Sequence, residues 1–226
     1  MVCIIASNKK WYAGLPESLS VQTGHQFVYI KRKEDLSAEF LERIKPRYVF
    51  LPHWSFLLPE NVFEKYECII FHMTDVPFGR GGSPLQNLIS RGIYETKISA
   101  LRCVKELDAG PVYLKRPLSL YGSAEEIYLR ASEIIEDMIY QIIMEPAAPI
   151  EQTGETTCFL RRKPEQSNIS ELTSLQHVFD HIRMLDADGY PHAFLETEYF
   201  RFEFERASIK ECQIIADVKI TERKNE

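Results

Sequence analysis

Apolar residues fall into short continuous runs through the first two thirds of the chain. VCIIAS (2–7), QFVYIKR (26–32), RYVFLPHW (47–54) and CIIFH (68–72) each read as a strand buried on both faces. Between them the spacing changes to that of a helix. SAEFLERIK (37–45) places Phe40, Leu41 and Ile44 on one side, with Ser37 positioned to cap its start. SPLQNLISRG (83–92) predicts a helix with Pro near its start and Gly at its end. KISALRCV (97–104) and PVYLKRPLSL (111–120) predict two more strands around the turn DAG. The run 123–143 is the clearest helix, opened by a capping box from Ser123 to Glu126.

Strands alternating with helices imply an α/β domain with a mostly parallel, Rossmann-like sheet covered on both faces. Ligands of such sheets lie beyond the carboxyl ends of the strands, where His72 and Asp108 both fall. The pattern changes after the proline-bearing stretch MEPAAPIEQTGE (144–155). One helix is predicted in SLQHVFDHIRMLDADGYP, ending near Asp186 to Gly189. The segment from Ala193 then alternates, with Phe200, Phe202 and Phe204 on one face and Arg201, Glu203 and Glu205 on the other. The expected division is a domain at 1–150 and a small helix-plus-β domain at 151–226. Its strand AFLETEYFRFEF suits an interface as well as a core, which leaves a homodimer open.

Composition narrows the class. Of 226 residues 45% are hydrophobic and 27% charged, enough apolar material for a substantial core. The formal charge of −6 argues against a general nucleic-acid surface. No run of 18 apolar residues and no signal-like start are visible, so a soluble, cytoplasmic protein without a membrane partner is expected. The five cysteines, at 3, 68, 103, 158 and 212, form no CxxC pair and fit reduced thiols.

Several chemistries lack their residues. No GxGxxG follows the first strand, and no GxSxG elbow appears. GRGG (79–82) has no Lys-Ser/Thr of a P-loop, although its backbone and Arg80 suit an anion. His177 and His181 lie four apart on the predicted helix, but no third ligand accompanies them, so no metal is expected. His72 stands apart because it ends a strand before a Gly/Arg turn, with Asp108 at the matching place in ELDAGPV. A histidine held by a carboxylate suits proton transfer near neutral pH.

HMTDVPFGRGGSP (72–84) resembles the HGSLLPxxRGxxP segment of the folate-dependent formyltransferases. His72, Pro77, Arg80, Gly81 and Pro84 keep that register. RCVKELDAGPV (102–112) is similar to the family's LDxGxx loop, with Asp108 at the catalytic aspartate. RRKPEQSNI (161–169) and IRMLDADGYPHAFLE (182–196) resemble the entry to its small C-terminal domain and the stretch that follows. The resemblance implies the formyltransferase fold, 10-formyltetrahydrofolate as formyl donor and a primary amine as acceptor. It further implies His72 as acid/base at the tetrahedral intermediate, Asp108 orienting it, and Thr74 keeping a hydroxyl where the family has Ser. The pterin is expected against Trp54, Ser55 and Phe56 and the loop Val104, Lys105, Glu106, Leu107 and Asp108.

One position departs. Ile70 stands where the family has an asparagine that supports the oxyanion, and losing such a donor costs roughly 10²–10³ in rate. Asp75 adds a carboxylate suited to a cationic amine and opposed to nucleic-acid phosphate. With the acidic chain and its short length, this favours a nucleotide-linked amino sugar as acceptor, its diphosphate met by Arg80, Gly81, Lys9 and Lys10. Methionyl-tRNA is the alternative acceptor, and a catalytically impaired folate or sugar-nucleotide binder the alternative class. A glycinamide-ribonucleotide transformylase is disfavoured by the appended C-terminal segment.

Overall fold

The computed structural model describes residues 1–223; the last three residues of the predicted 151–226 domain lie outside the described residues. In chain order the elements begin β1 (Val2–Ala6), α1 (Leu15–Thr23), β2 (Gln26–Ile30), α2 (Ala38–Ile44), β3 (Tyr48–Pro52), α3 (Glu60–Phe63) and β4 (Cys68–His72). Next come β5 (Arg80–Gly81), α4 (Pro84–Ile89), β6 (Glu95–Arg102), β7 (Val112–Ser119) and α5 (Ala124–Met144). The chain continues through β8 (Cys158–Phe159), α6 (Leu175–Arg183), β9 (Ala193–Glu196), β10 (Phe200–Lys210) and β11 (Gln213–Glu222). The elements gather into two compact units interleaved in sequence. The first comprises Met1–Gly81, Thr96–Leu118 and Leu129–Cys158; the second, Gly82–Glu95, Ser119–Tyr128 and the chain from Phe159 onward.

A six-stranded sheet in the order β2-β1-β3-β4-β6-β7 carries the first unit. β1 runs parallel to β2 and β3, β3 parallel to β4, and β6 antiparallel to β4. All five residues of β3 are buried, as a strand covered on both faces requires. Alternate side chains serve opposite layers. Ile4, Ala6, Val49, Leu51 and Cys68 pack with Leu41 of α2 and Val62 of α3, and Ile70 lies against the same cluster. The opposite face carries Cys3, Ile5, Phe50, Ile69 and Phe71, all buried. α1 was not foreseen from the sequence: LPESLSVQT has only Leu15 and Leu19 as buried anchors. Its partner explains it, because Ser18 and Gln22 hydrogen-bond the carboxylate of Glu136 on α5.

The second unit holds a three-stranded antiparallel sheet in the order β11-β10-β9. Phe202 stands between Leu195 and Ile220, and Phe204 between Ala193 and Val218. α6 is capped by Ser174, whose hydroxyl accepts from the His177 backbone. Among the described residues no helix is long and apolar enough to cross a membrane.

Candidate functional site

β4 delivers the histidine. Its side chains alternate, so Cys68, Ile70 and His72 share one face. Ile70 points with the core cluster, while His72 sits one step farther at the strand's carboxyl end, 7% exposed. The chain then turns back through a cis Val76–Pro77 bond and Gly79, whose positive φ a side chain would strain. This return places the Gly79 carbonyl beside the histidine. His72 Nε2 donates to it at 2.8 Å, and the buried Thr74 hydroxyl donates to it at 3.3 Å.

Asp108 arrives from the loop between β6 and β7. Its Oδ2 lies 3.4 Å from His72 Nδ1 and accepts the Gly81 backbone N–H at 2.9 Å. The ring therefore stands between a carbonyl oxygen and a carboxylate, two acceptors that fix its plane. Asp108 itself has φ 53°, a left-handed conformation that aspartate tolerates better than most residues. Two residues on, Gly110 permits the tight return: a Cβ there would stand 1.8 Å from the Arg102 carbonyl oxygen.

Gln152, which no motif singled out, ties these parts together. Its Oε1 accepts from Arg80 Nε at 3.0 Å and from a terminal guanidinium nitrogen at 2.7 Å. Its Nε2 donates to the Asp108 and Gly110 carbonyls, both at 2.8 Å. Every hydrogen-bonding position of the amide is used, so one side chain joins Arg80 to the Asp108 loop. Only a 44-residue separation in sequence hid it.

The remaining predicted residues divide by exposure. Trp54 is partly buried against the core cluster, its ring edge-on to Phe56 at 5.2 Å, and its Nε1 has no hydrogen-bond partner among the described residues. Ser55, Lys105, Glu106 and Leu107 are exposed, and Val104 half-buried. Phe56, Leu57 and Leu107 present apolar side chains to solvent from the strand ends. Lys9 lies over the Trp11 ring, and Lys10 opens a short 3-10 turn after β1. His53, also missed, follows β3 and is stacked on Trp11 at 5.7 Å. Burial, aided by the charge of Lys9, pushes its pKa down to about 3.

Asp75 is not presented as a lone carboxylate. Lys97 contacts it at 2.8 Å and Lys115 holds its other oxygen. Burial opposes its ionisation, but the Lys115 and Lys97 hydrogen bonds outweigh that and hold it below the usual carboxylate range. The second unit contains a group of metal-ligand residue types, Asp186, His192 and Glu205, with Glu205 also held by Arg206 at 2.8 Å. His181 Nδ1 faces its own helix, toward the His177 carbonyl.

Comparison with known proteins decides the family. A profile described as the C-terminal domain of methionyl-tRNA formyltransferase matches residues 164–221. A solved methionyl-tRNA formyltransferase from Clostridium thermocellum is 48% identical, with a TM-score of 0.96 over 99% of this chain and 100% of that one. This chain belongs to the formyltransferase family.

A curated methionyl-tRNA formyltransferase of Wolbachia pipientis is 24% identical over 82% of the chain and 64% of its own length. The chain spans about 37 to 65% of the lengths of the curated relatives compared. A HypX structure from Aquifex aeolicus in complex with tetrahydrofolic acid shares the fold, with TM-score 0.74 and 19% identity over 91% of this chain and 37% of that one.

These relatives overturn the amino-sugar nucleotide expected as acceptor. The curated relatives compared are named for methionyl-tRNA, as is the solved Clostridium structure that matches from end to end at 48% identity. Two of the three grounds for the sugar, the short length and Asp75, fail physically; the third, the net charge of −6, is a property of the whole chain and does not choose between acceptors. The short chain is no mark of a sugar enzyme, since the solved Clostridium chain is covered in full. The negative charge of Asp75 is offset by two lysines, so it does not repel phosphate as a bare carboxylate would.

Proposed function

We propose that this formyltransferase moves a formyl group from 10-formyltetrahydrofolate to the amine of methionyl-tRNA. In this reading residues 1–150 form the catalytic domain and 151–226 a small C-terminal domain. The observation that carries it is the His72–Asp108 pair closed by Gly81, in a chain that matches a methionyl-tRNA formyltransferase over its whole length.

The folate co-substrate fits the strand ends. The exposed apolar side chains of Phe56, Leu57 and Leu107 suit a pterin ring, and the buried Trp54 Nε1 offers an unused donor. The main chain of Val104 to Asp108 would hold its polar edge. When bound, 10-formyltetrahydrofolate supplies the formyl carbon. The chain's residues then manage one proton and one developing negative charge. With its Nε2–H held by the Gly79 carbonyl, the neutral ring of His72 accepts at Nδ1 the proton that the attacking amine loses as the new C–N bond forms, and returns it to the departing folate nitrogen. Asp108 keeps the ring in place and offsets its charge while it is protonated. Arg80 and the Gly81 backbone fix the turn that carries Asp108. Thr74 and His72 both donate to the Gly79 carbonyl.

Ile70 favours a second reading, a folate-binding relative with impaired chemistry. It lies on the same face of β4 as His72 and offers no hydrogen bond to an oxyanion. One experiment separates the two. The protein is incubated with 10-formyltetrahydrofolate and methionyl-tRNA, and the aminoacyl group is analysed by mass spectrometry. Formyl-methionine from the parent, reduced roughly 10²–10⁴-fold in His72→Ala, supports the transferase. Folate binding without product, with turnover gained by Ile70→Asn, would establish the impaired relative instead.

A further inference from the structure

β11 is the open edge of the second unit's sheet. Among the described residues it pairs with β10 alone. It runs for ten residues with no proline to blunt it, and Ile215, Val218 and Ile220 are 57, 45 and 58% exposed. A long, apolar, unpaired edge invites a further strand. The direction of its backbone can be read from the register. The Arg223 N–H donates to the Tyr199 carbonyl, so Arg223 faces β10, and with it Thr221, Lys219 and Asp217. The N–H and C=O groups of Ala216, Val218, Ile220 and Glu222 therefore point outward, at the free edge.

The charges along that edge are self-complementary in one antiparallel register. We propose that β11 pairs with β11 of a second copy of this chain, about a two-fold axis through Val218, joining two three-stranded sheets into one. In this register Val218 meets its own counterpart and Ile220 meets Ala216 of the second copy, both through outward-facing backbone groups. Asp217 falls opposite Lys219 of the second copy, and by symmetry Lys219 falls opposite Asp217, giving two ion pairs across the axis. Arg206 contacts only Oδ2 of Asp217 among the described residues. Shifting the axis to Asp217 or Lys219 would set like charges directly opposite, which is unfavourable. The even-numbered side chains Ile214, Ala216, Val218 and Ile220 continue the row of Phe202 and Phe204. The joined sheet thus carries one continuous apolar face, and the half-exposed residues of each copy cover one another.

The test is the mass of the intact chain in solution, followed by light scattering and sedimentation across a concentration series. A dimer is expected, with Lys219→Asp weakening association roughly tenfold by facing two aspartates across each pair. The thermal midpoint of the dilute Lys219→Asp protein should match the parent, which separates assembly from folding. Register is checked by crosslinking in a Cys158→Ser/Cys212→Ser background. Val218→Cys on the axis should oxidise to a covalent dimer, because facing residues lie within disulfide reach, and Ile215→Cys should not. A chain that stays monomeric throughout, whether its edge is free or takes nucleic acid, overturns the proposal. So does a dimer indifferent to Lys219→Asp, or one in which both cysteines crosslink equally.

Discussion

β4 and β11 are strands of similar chemistry in opposite circumstances. CIIFH is apolar at four of five positions and lies inside the six-stranded sheet, where Cys68, Ile69, Phe71 and His72 are at most 7% exposed. QIIADVKITE alternates, lies at an edge, and leaves Val218 and Ile220 about half exposed. The difference teaches where each strand's information goes. In β4 the neighbours on both sides are already in place, so the strand can deliver one polar side chain, His72, to a defined point at its end. In β11 half of the backbone faces outward, and what the strand specifies is a partner.

The largest contrast is in stability. Ile69→Ala empties a fully buried site and should cost about 2–5 kcal/mol in denaturant unfolding. Ile220→Ala, measured in dilute protein, should stay within about 0.5 kcal/mol. Equal costs would mean that β11 is covered within its own chain, and the comparison would break.

Next in size is the frame behind the histidine. Gln152→Ala removes the link between Arg80 and the Asp108 loop while leaving both strands intact. Formylation should fall roughly tenfold to a hundredfold, with the thermal midpoint nearly unchanged. A loss confined to stability would reduce Gln152 to a linker fastening.

A smaller effect comes from the end of β3. His53 has a folded pKa pushed down to about 3 by burial, against about 6.5 in the unfolded chain. The unfolded state then binds the extra proton first. This contribution to stability is complete above about pH 6.5 and is lost progressively as pH falls toward 3. His53→Phe should flatten the pH dependence of unfolding between about 6.5 and 4; an unchanged slope would remove His53 as its source.

The mildest test uses the thiols. Cys3 and Cys68, in β1 and β4, are pushed up to about 11 and 12 by burial, and Cys103 to about 11 by burial with the charge of Asp108 adding. Cys212 lies exposed between β10 and β11, and Cys158 is also exposed. A thiol reagent should modify these two quickly in the native protein and the other three only on unfolding.

What the sequence alone determined follows from local rules. Continuous apolar runs marked β1, β3 and β4 as strands covered on both faces, whereas β2, read in the same way, is an edge strand with only Ile30 buried. The Ser123–Glu126 box marked the start of α5, and three ordered motifs placed His72, Asp108 and Arg80 in one family. Each of these is written within a few residues, by periodicity, capping or a turn that only certain side chains permit. Other features depend on residues far apart in the chain, and only the tertiary structure decided them. α1 rests on Glu136, Asp75 is offset by Lys97 and Lys115, and the Asp108 loop is fastened by Gln152. The charge of a side chain is read from sequence, but its effect is set by what folding brings within a few ångströms. That is why Asp75 suggested the wrong acceptor, and why the Asp217–Lys219 pattern of β11 acquired meaning only once its edge was seen to be open.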